Sequence, residues 1–241
     1  MKCVIHGSGG VGGYYGGCLA RAGHEVFFIA RGAHLEAIQQ QGLSIKSAKG
    51  DFRIETPKSG ERCDPNFDPD LVIVAVKSWQ LPEITEEIKN YCTPSTLILP
   101  LQNGADASDI LADTLGPERV LGGLTKIFSK IEAPGVINHF TGATYIGFGE
   151  YFQDPQFQNA PDSLSDRCRN LEKELDSTPG IDAEAFVDIQ KELWRKMLIF
   201  VSTSGVGTIT RTPNGVFRSI PETREMLIQL IREILMVGQA K

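Results

Sequence analysis

Hydrophobic residues recur in the first half of the chain as short unbroken runs, separated by longer stretches with helical periodicity. Strands are predicted on this basis at residues 3–5, 25–30, 71–76 and 96–101, and a further strand is predicted at 120–125. Continuous apolar runs of this length are typical of strands that are buried on both faces of a parallel sheet. Their alternation with helical segments and short loops predicts an α/β fold with a doubly wound sheet.

Further elements of this half are predicted from glycines, prolines and local periodicity. They are, in chain order, helices up to Gly23 and at 34–41, an antiparallel hairpin at 43–47 and 52–55, helices at 80–91 and 106–115, antiparallel edge strands within 135–150, a surface loop at 151–161, a helix at 163–175 and an edge strand at 182–187.

The character of the chain changes at about Asp188. Residues 189–201 begin as an amphipathic helix and become almost wholly apolar, and residues 221–238 predict a further helix. Between them lie a small, polar stretch at 202–207 and a predicted turn at 212–215. We therefore expect a doubly wound domain over residues 1–187 and a smaller, all-helical domain over residues 188–241.

Composition argues against several classes of function. The chain carries 24 basic and 30 acidic residues, a net charge of −6, and has no Lys/Arg cluster, so we expect no nucleic-acid surface. Five cysteines without a C-x-x-C pair predict reduced thiols, and the four histidines lack ligand spacing, so no metal site is expected. No signal peptide precedes the first strand, and no run reaches the roughly 18 apolar residues of a spanning helix. These features favour a cytoplasmic protein that binds no membrane.

The first predicted strand leads into a glycine-rich turn and then a helix. Residues 7–12 read GSGGVG, which fits G-x-G-x-x-G. In such a unit the first glycine allows the tight turn, the second lets the backbone approach a pyrophosphate, and the third lets helix and strand pack closely. The helix N-terminus offers N–H groups to the phosphates. We therefore predict a dinucleotide-binding turn, rather than a turn merely rich in glycine, at Gly7, Ser8, Gly9, Gly10, Val11 and Gly12.

Arg31 follows the second strand at the position where NAD-binding domains place an acidic residue on the ribose 2′-hydroxyl. An arginine here could instead pair with the 2′-phosphate of NADP. The alternative is a solvated arginine at a helix start. We favour an NADP-binding Rossmann domain.

Polar residues follow the next two parallel strands. Lys77 and Gln80 come after the strand at 71–76, and Asn103 comes after the strand at 96–101. The carboxyl ends of parallel strands form the ligand-binding rim of an open α/β sheet, which favours binding roles over those of a surface lysine. Asn103 could hydrogen-bond a substrate or the nicotinamide ribose, or serve as a turn residue beside Gly104.

Lys196 interrupts the apolar part of the helix at 189–201. A lysine in this position usually extends its ammonium group to the surface. A lysine held partly dry in a cleft can instead have a lowered pKa and donate a proton. The sequence leaves both roles open.

The order and spacing of these motifs resemble the ketopantoate reductase family over nearly the whole chain. The motifs are GSGGVG at 7–12, Arg31, KSWQ at 77–80, QNG at 102–104, ELWRK at 192–196 and TPNG at 212–215. The resemblance implies NADPH-dependent reduction of 2-dehydropantoate to pantoate in pantothenate biosynthesis. It also implies a Rossmann domain joined to a helical domain, with the active site between them.

Residue by residue, the resemblance implies that Gly7, Gly9 and Gly12 line the pyrophosphate. Arg31, with Lys77 and Gln80, would bind the adenosine phosphate or the rest of the cofactor. Asn103 would hold the substrate or the nicotinamide ribose, and Lys196 would be the general acid, in contact with a small 2-keto acid substrate.

The chain also departs from the family pattern. Where the family commonly has asparagines four and eight residues after the lysine, this chain has Phe200, which cannot make that substrate hydrogen bond, and Ser204, which could make it in part. Family chains continue through helices that carry a serine and a glutamate, so we expect a shortened helical domain. This leaves two alternatives: reduction of another bulky 2-keto acid, or a non-catalytic NADP-binding protein. A shortened domain would expose apolar surface that a homodimer could cover.

Overall fold

The structure is a computed structural model that describes residues 1–152 and 163–240. The chain divides into two compact units. The first comprises Met1–Gln102 and Asp106–Ile189, and the second comprises Asn103–Ala105 and Gln190–Lys241. The loop predicted at residues 151–161 lies, beyond Phe152, outside the described residues.

The first unit is built from short strands and helices in alternation. Its strands are β1 (Lys2–His6), β2 (Glu25–Ile29), β3 (Leu43–Ser47), β4 (Phe52–Ile54), β5 (Lys58–Gly60), β6 (Leu71–Val74), β7 (Leu97–Pro100), β8 (Leu121–Ala133), β9 (Val136–Glu150) and β10 (Asp182–Ala185). Its helices are α1 (Gly10–Arg21), α2 (Gly32–Gln41), α3 (Leu81–Lys89), α4 (Ala107–Leu115) and α5 (Asp166–Asp176), and a single 3-10 turn spans Ser78–Gln80.

A five-stranded, all-parallel sheet forms the centre of this unit, in the order β5-β2-β1-β6-β7. The register places Ile5 opposite Phe28 on one side and Ile73 on the other, and these side chains are buried. The continuous apolar runs arise because helices cover both faces of the sheet. The predicted parallel sheet is confirmed, and β5 at its edge is an addition that the sequence did not indicate.

A second sheet has the order β10-β9-β3-β4, with β8 pairing along β9. The predicted hairpin is confirmed by the antiparallel pairing of β3 with β4. The strand predicted at 120–125 continues to Ala133 and pairs antiparallel with β9 in this second sheet, and a single bridge from Val120 to Ile98 joins it to the first sheet.

The predicted antiparallel strand structure at 135–150 is confirmed by pairing with β8, but the predicted position at a sheet edge is wrong. This stretch is one long strand, β9, inside the second sheet, antiparallel to β8 and parallel to β3 and β10. Gly147 and Gly149 reflect close packing and do not end the strand, because a Cβ on Gly149 would lie 2.2 Å from the Phe186 carbonyl oxygen. The strand predicted at 182–187 is confirmed as the edge strand β10.

Helix α1 packs between the two sheets, and its glycines allow the close approach on both sides. A Cβ on Gly16 would lie 2.6 Å from Ile5 Cγ1 in the parallel sheet. A Cβ on Gly13 would lie 2.9 Å from Ile137 Cγ1 in the second sheet. The glycines that follow the nucleotide-binding pattern therefore hold this helix in place, so the start of α1 is fixed from both sides.

The second unit is helical, as predicted, and contains α6 (Ile189–Thr210), α7 (Asn214–Ser219) and α8 (Pro221–Ala240). A buried apolar cluster in this unit contains Val206, Phe217 and Leu227. The small, polar stretch at 202–207 does not interrupt α6, because the Ser202 and Thr203 hydroxyls donate to the carbonyls of Leu198 and Ile199 four residues earlier. The turn predicted at 212–215 overlaps the start of α7.

Over residues 1–152 and 163–240, no helix is long and apolar enough to cross a membrane. The same residues contain no group of three or more His, Cys, Asp or Glu side chains that could hold a metal ion. The five cysteines are free thiols, and Cys92 is partly buried while the others are buried.

Candidate functional site

A cleft of about 260 Å³ lies at the carboxyl ends of β1, β2 and β6 in the first unit. Six of the residues predicted to bind the cofactor line it: Gly7, Ser8, Gly9, Arg31, Lys77 and Gln80. They come from three separate stretches of sequence, each directly after a parallel strand. The parallel sheet brings them together because its strands all end at the same edge.

The glycines of the turn differ in what surrounds them. Gly7 has a φ of +101°, and a Cβ there would lie 2.8 Å from the Val76 backbone nitrogen. A Cβ on Gly12 would lie 2.3 Å from the Gly7 carbonyl oxygen. Gly9, in contrast, has no atom within 4 Å of the Cβ position. The first and third glycines are therefore needed by the fold, and the second borders open space where a pyrophosphate could approach.

The polar groups of the turn suit an anionic ligand. Gly9 is the N-cap of α1, which has no side-chain cap and no acidic residue in its first turn, so its backbone N–H groups face no protein carboxylate there. The Ser8 hydroxyl is buried and has no hydrogen-bond partner in the described part of the chain. Buried hydroxyl groups are normally paired, so an oxygen-rich ligand fits this turn.

Gly10 and Val11 do not line the cleft, although they belong to the predicted turn. Gly10 begins α1, and a Cβ there would lie 2.6 Å from the Ser129 carbonyl oxygen. Val11 is partly buried against the core of the first unit. These two residues pack the start of the helix, which accounts for their place in the motif.

Two cationic side chains and an amide stand at the rim of the cleft. Arg31 and Lys77 are exposed, at the starts of α2 and of the 3-10 turn. Gln80 Oε1 accepts a hydrogen bond from the Lys77 backbone nitrogen at 3.1 Å, which leaves the amide NH₂ group of Gln80 to face a ligand. The cations can pair with phosphate oxygens in this position.

The rim is held by a residue that sequence analysis did not single out. Gln102 directly follows β7 and is buried, and its Nε2 donates to the carbonyl oxygens of Val74 and Val76 at 3.0 Å each. These bonds fix the end of β6 and the loop that carries Lys77. The QNG motif gave the available signal, since a glutamine at a strand end can bond the neighbouring strand.

Two histidines also line the cleft and were not predicted as site residues. His6 is the last residue of β1, and its Nδ1 lies 2.9 Å from the Tyr91 hydroxyl. His34 lies in α2, with Nε2 2.9 Å from the Ser8 carbonyl oxygen and Nδ1 3.0 Å from the Gly135 backbone nitrogen. Burial lowers the pKa of both histidines, and for His6 the charge of Arg31 adds to the effect and the pKa falls to about 4. Both rings are therefore neutral at pH 7.

In the second unit, the structure brings together the two residues predicted to act in catalysis. Lys196 Nζ donates to Asn103 Oδ1 at 2.9 Å, across 93 residues of sequence. Lys196 is partly buried on α6, whereas Asn103 is exposed. Phe200 and Ser204 follow on the next two turns of the same helix, and both are exposed. The amide oxygen thus orients the ammonium group.

Comparison with known proteins identifies related sequences along both units. The family model "Ketopantoate reductase PanE/ApbA" matches residues 3–151, and the model of the C-terminal part of that family matches residues 188–241. An uncharacterized oxidoreductase, YkpB of Bacillus subtilis, is 32% identical over 241 residues, which cover 98% of this chain and 74% of the relative.

Solved structures agree with the family match. The crystal structure of 2-dehydropantoate 2-reductase from Geobacter metallireducens superposes with a TM-score of 0.86 at 26% identity, covering 99% of this chain and 75% of that one. The ternary structure of D-mandelate dehydrogenase with NADH and anilino(oxo)acetate shares the fold, with a TM-score of 0.87 at 22% identity over 100% of this chain and 74% of that one. The resemblance read from the motifs is therefore confirmed, and the chain belongs to the ketopantoate reductase family of oxidoreductases.

Proposed function

We propose that this protein is an NADPH-dependent 2-keto acid reductase that converts 2-dehydropantoate to pantoate. The observation that carries the proposal is the cleft at the parallel strand ends, where the open space beside Gly9 and the cations Arg31 and Lys77 converge. Family membership supports the reaction, since the relative from Geobacter metallireducens is named 2-dehydropantoate 2-reductase.

The residues of the cleft suit each part of a dinucleotide. The α1 N-terminus and the turn at Gly9 would hold the pyrophosphate through backbone N–H groups. Arg31 and Lys77 would pair with the 2′-phosphate of the adenosine ribose, and the Gln80 amide would donate to the same part of the cofactor. When bound, the nicotinamide group supplies a hydride to the ketone carbon of the substrate.

Lys196 would complete the reaction by acting on the ketone oxygen. Hydride addition leaves negative charge on that oxygen, and an ammonium group aimed at it both stabilises the charge and donates the proton. Asn103 Oδ1 accepts a hydrogen bond from this ammonium group at 2.9 Å. Asn103 would thus orient the acid, and Ser204 would contact the substrate from the same helix.

A second candidate is reduction of a different bulky 2-keto acid. It is favoured by Phe200, which is 43% exposed one turn after Lys196 and offers an apolar contact where the family commonly has an asparagine. Assays of NADPH oxidation with 2-dehydropantoate, 2-oxoisovalerate and phenylglyoxylate would separate these substrates. Calorimetric binding of NADPH without turnover of any 2-keto acid would point to a non-catalytic NADP-binding protein and contradict both reductase proposals.

The acid role is tested by Lys196→Ala. We expect kcat to fall by about 100-fold or more, because the protonation step loses its donor. Lys89→Ala, which removes an exposed lysine from α3, is the matched control and should leave kcat unchanged. Wild-type turnover by the Lys196→Ala variant with every substrate that the protein reduces would refute the role.

The cofactor preference is tested by Arg31→Ala. We expect the Kd for NADPH to rise by about 10- to 100-fold, because one charge-assisted contact to the 2′-phosphate is lost, while the Kd for NADH changes little. Arg169→Ala, which removes an exposed arginine from α5, should affect neither. Equal losses for NADPH and NADH would count against recognition of the 2′-phosphate by Arg31.

A further inference from the structure

The hydrogen bonds of His34 and His6 show that only one of these rings has a nitrogen left for a ligand. A backbone N–H group can only donate, so His34 Nδ1 must accept from Gly135, and Nε2 must carry the hydrogen that is donated to the Ser8 carbonyl. Both ring nitrogens of His34 are therefore hydrogen-bonded to backbone groups.

His6 uses only one nitrogen in this way. Its Nδ1 lies 2.9 Å from the hydroxyl of Tyr91, which is 2% exposed. Burial raises the pKa of Tyr91 well above its usual value, so the hydroxyl keeps its hydrogen. Within the described residues, Nδ1 is the one acceptor bonded to that hydroxyl. The Tyr91 O–H therefore donates to Nδ1, and the hydrogen of the neutral ring lies on Nε2.

The Nε2–H group of His6 has no hydrogen-bond partner in the part of the chain that the structure describes. His6 ends β1 directly before Gly7, and it lines the same cleft as Arg31. An N–H group that lines a ligand cleft is available to donate, which makes a ligand atom in the cleft the natural acceptor.

We propose that His6 donates its Nε2–H to a phosphate oxygen of the bound dinucleotide, with the Tyr91 hydroxyl fixing the tautomer that makes this possible. This inference rests on the proposed function of the cleft. It adds a neutral donor on the floor of the cleft to the cations at its rim, and it assigns Tyr91 a positioning role.

A proton should accompany binding if this arrangement holds. Burial, and secondly the charge of Arg31, lower the pKa of His6 to about 4 in the free protein. Phosphate charge beside the ring would offset Arg31 and raise that pKa above about 4, so the complex would take up a proton at about pH 5.

Other titratable groups surround this pair and could also respond. Lys77 and His34 line the cleft with Arg31, and Tyr91 lies near Cys63, Cys92 and Glu87. Burial raises the pKa of Glu87, against the lowering effect of Arg31 and Arg62, so Glu87 is the other candidate for proton uptake. The experiment must therefore change His6 while leaving Glu87 in place.

The test is titration calorimetry of the full chain with NADPH and with NADH, at about pH 5 and pH 8, in buffers of different ionisation enthalpy. For the wild type, we expect measurable proton uptake at the lower pH. His6→Gln keeps an N–H donor that does not titrate, so we expect its Kd to stay within about 3-fold while the proton uptake disappears. His6→Leu removes the donor and should raise the Kd by about 10-fold.

The two dinucleotides distinguish which phosphate His6 contacts. If His6→Leu weakens binding of NADPH alone, His6 contacts the 2′-phosphate. If it weakens binding of NADPH and NADH equally, His6 contacts the pyrophosphate. Either result supports the proposal. Wild-type affinity of His6→Leu for both dinucleotides, or unchanged proton uptake in His6→Gln, would overturn it. Should His6→Leu fail to fold, the proton uptake of His6→Gln still decides.

Failure of the proposed function gives a different result. If the wild-type chain binds neither NADPH nor NADH, both the proposed function and this inference are wrong. If the wild type binds and the His6 variants behave like it, only the inference is wrong. Tyr91→Phe serves as the positioning control, with an expected Kd change smaller than that of His6→Leu, because the donor itself remains.

Discussion

The Rossmann-type unit and the helical unit hold their functional residues in different ways. In the first unit, the glycine turn is fixed between a parallel sheet and a second sheet. The buried core of this unit includes residues from every strand of the parallel sheet except β5. In the second unit, Lys196 is partly buried and Asn103, which it contacts, is exposed. The buried cluster of this unit contains Val206, Phe217 and Leu227. Substitutions at the packed glycines of the first unit should therefore affect folding and binding together, whereas those at Lys196 can affect catalysis alone.

The largest difference between the units is expected for a pair of glycine substitutions. In the turn, Gly12→Val should destabilise the protein by about 3 kcal/mol and abolish dinucleotide binding, because even its Cβ would lie 2.3 Å from the Gly7 carbonyl oxygen. In the helical unit, Gly215→Ala should be neutral or slightly stabilising, since no atom lies within 4 Å of its Cβ position. Urea denaturation followed by circular dichroism measures both. Equal stabilities would show that the turn is not as tightly packed as described.

A smaller difference in stability between the two units is expected when an ion pair is broken in each. Arg167 Nε donates to Glu150 Oε1 at 2.7 Å, and both side chains are less than a quarter exposed. Glu150→Gln should cost about 2 kcal/mol, because Arg167 would lose the negative charge of its partner at a partly dry site. In the helical unit, Glu225→Gln should change stability by less than about 0.5 kcal/mol, because the pair with Arg232 is exposed.

The pair of Arg167 and Glu150 also predicts how the stability of the protein depends on pH. Burial acts to raise the pKa of Glu150, but hydrogen bonds from Arg167 and Ser165 outweigh it and lower the pKa below the usual value. A carboxyl group with a lowered folded-state pKa stabilises the protein above its unfolded pKa of about 4.3, and the contribution is lost as the pH falls through the folded value. The stability gap between wild type and Glu150→Gln should therefore narrow below about pH 4. A gap that stays constant down to pH 3 would contradict this account of the pair.

The smallest effect on stability is expected for Gly9→Ala, although its effect on binding should be large. The fold has room for the methyl group, so stability should stay within about 0.5 kcal/mol of the wild type. The methyl group would occupy the space through which a pyrophosphate approaches, so the Kd for NADPH should rise by at least about 10-fold. Gly142→Ala, also with open space at its Cβ position but on β9, is the matched control for binding. If the Gly9→Ala variant bound NADPH normally, the placement of the pyrophosphate at this turn would be wrong.

Much of the first unit could be predicted because its signals are local. The apolar runs of β1, β2, β6 and β7 are local signals, and the first three are followed at once by residues that line the cleft. The glycine spacing and Arg31 need no knowledge of distant residues to be recognised. The assigned roles of these residues stay predictions that the binding experiments would test.

The second sheet could not be predicted to the same extent. Strand β9 was predicted as edge strands because its glycines resemble interruptions. Gly149 instead makes room for Phe186, which lies 37 residues later along the chain. The continuation of α6 through Ser202 and Thr203 was missed for a related reason. Whether a hydroxyl bonds its own helix or competes with it depends on the surrounding packing.

The sequence by itself determined the class of fold and the family, and it predicted the residues of a dinucleotide site, because glycine turns and buried strands follow from short-range steric and hydrophobic rules. Only the tertiary structure decided that Asn103 meets Lys196, that Gln102 holds the end of β6, and that His34 is used by backbone while His6 keeps an N–H for the cleft. These contacts join residues far apart in the chain. Their existence depends on strand order and helix packing, which no local pattern encodes.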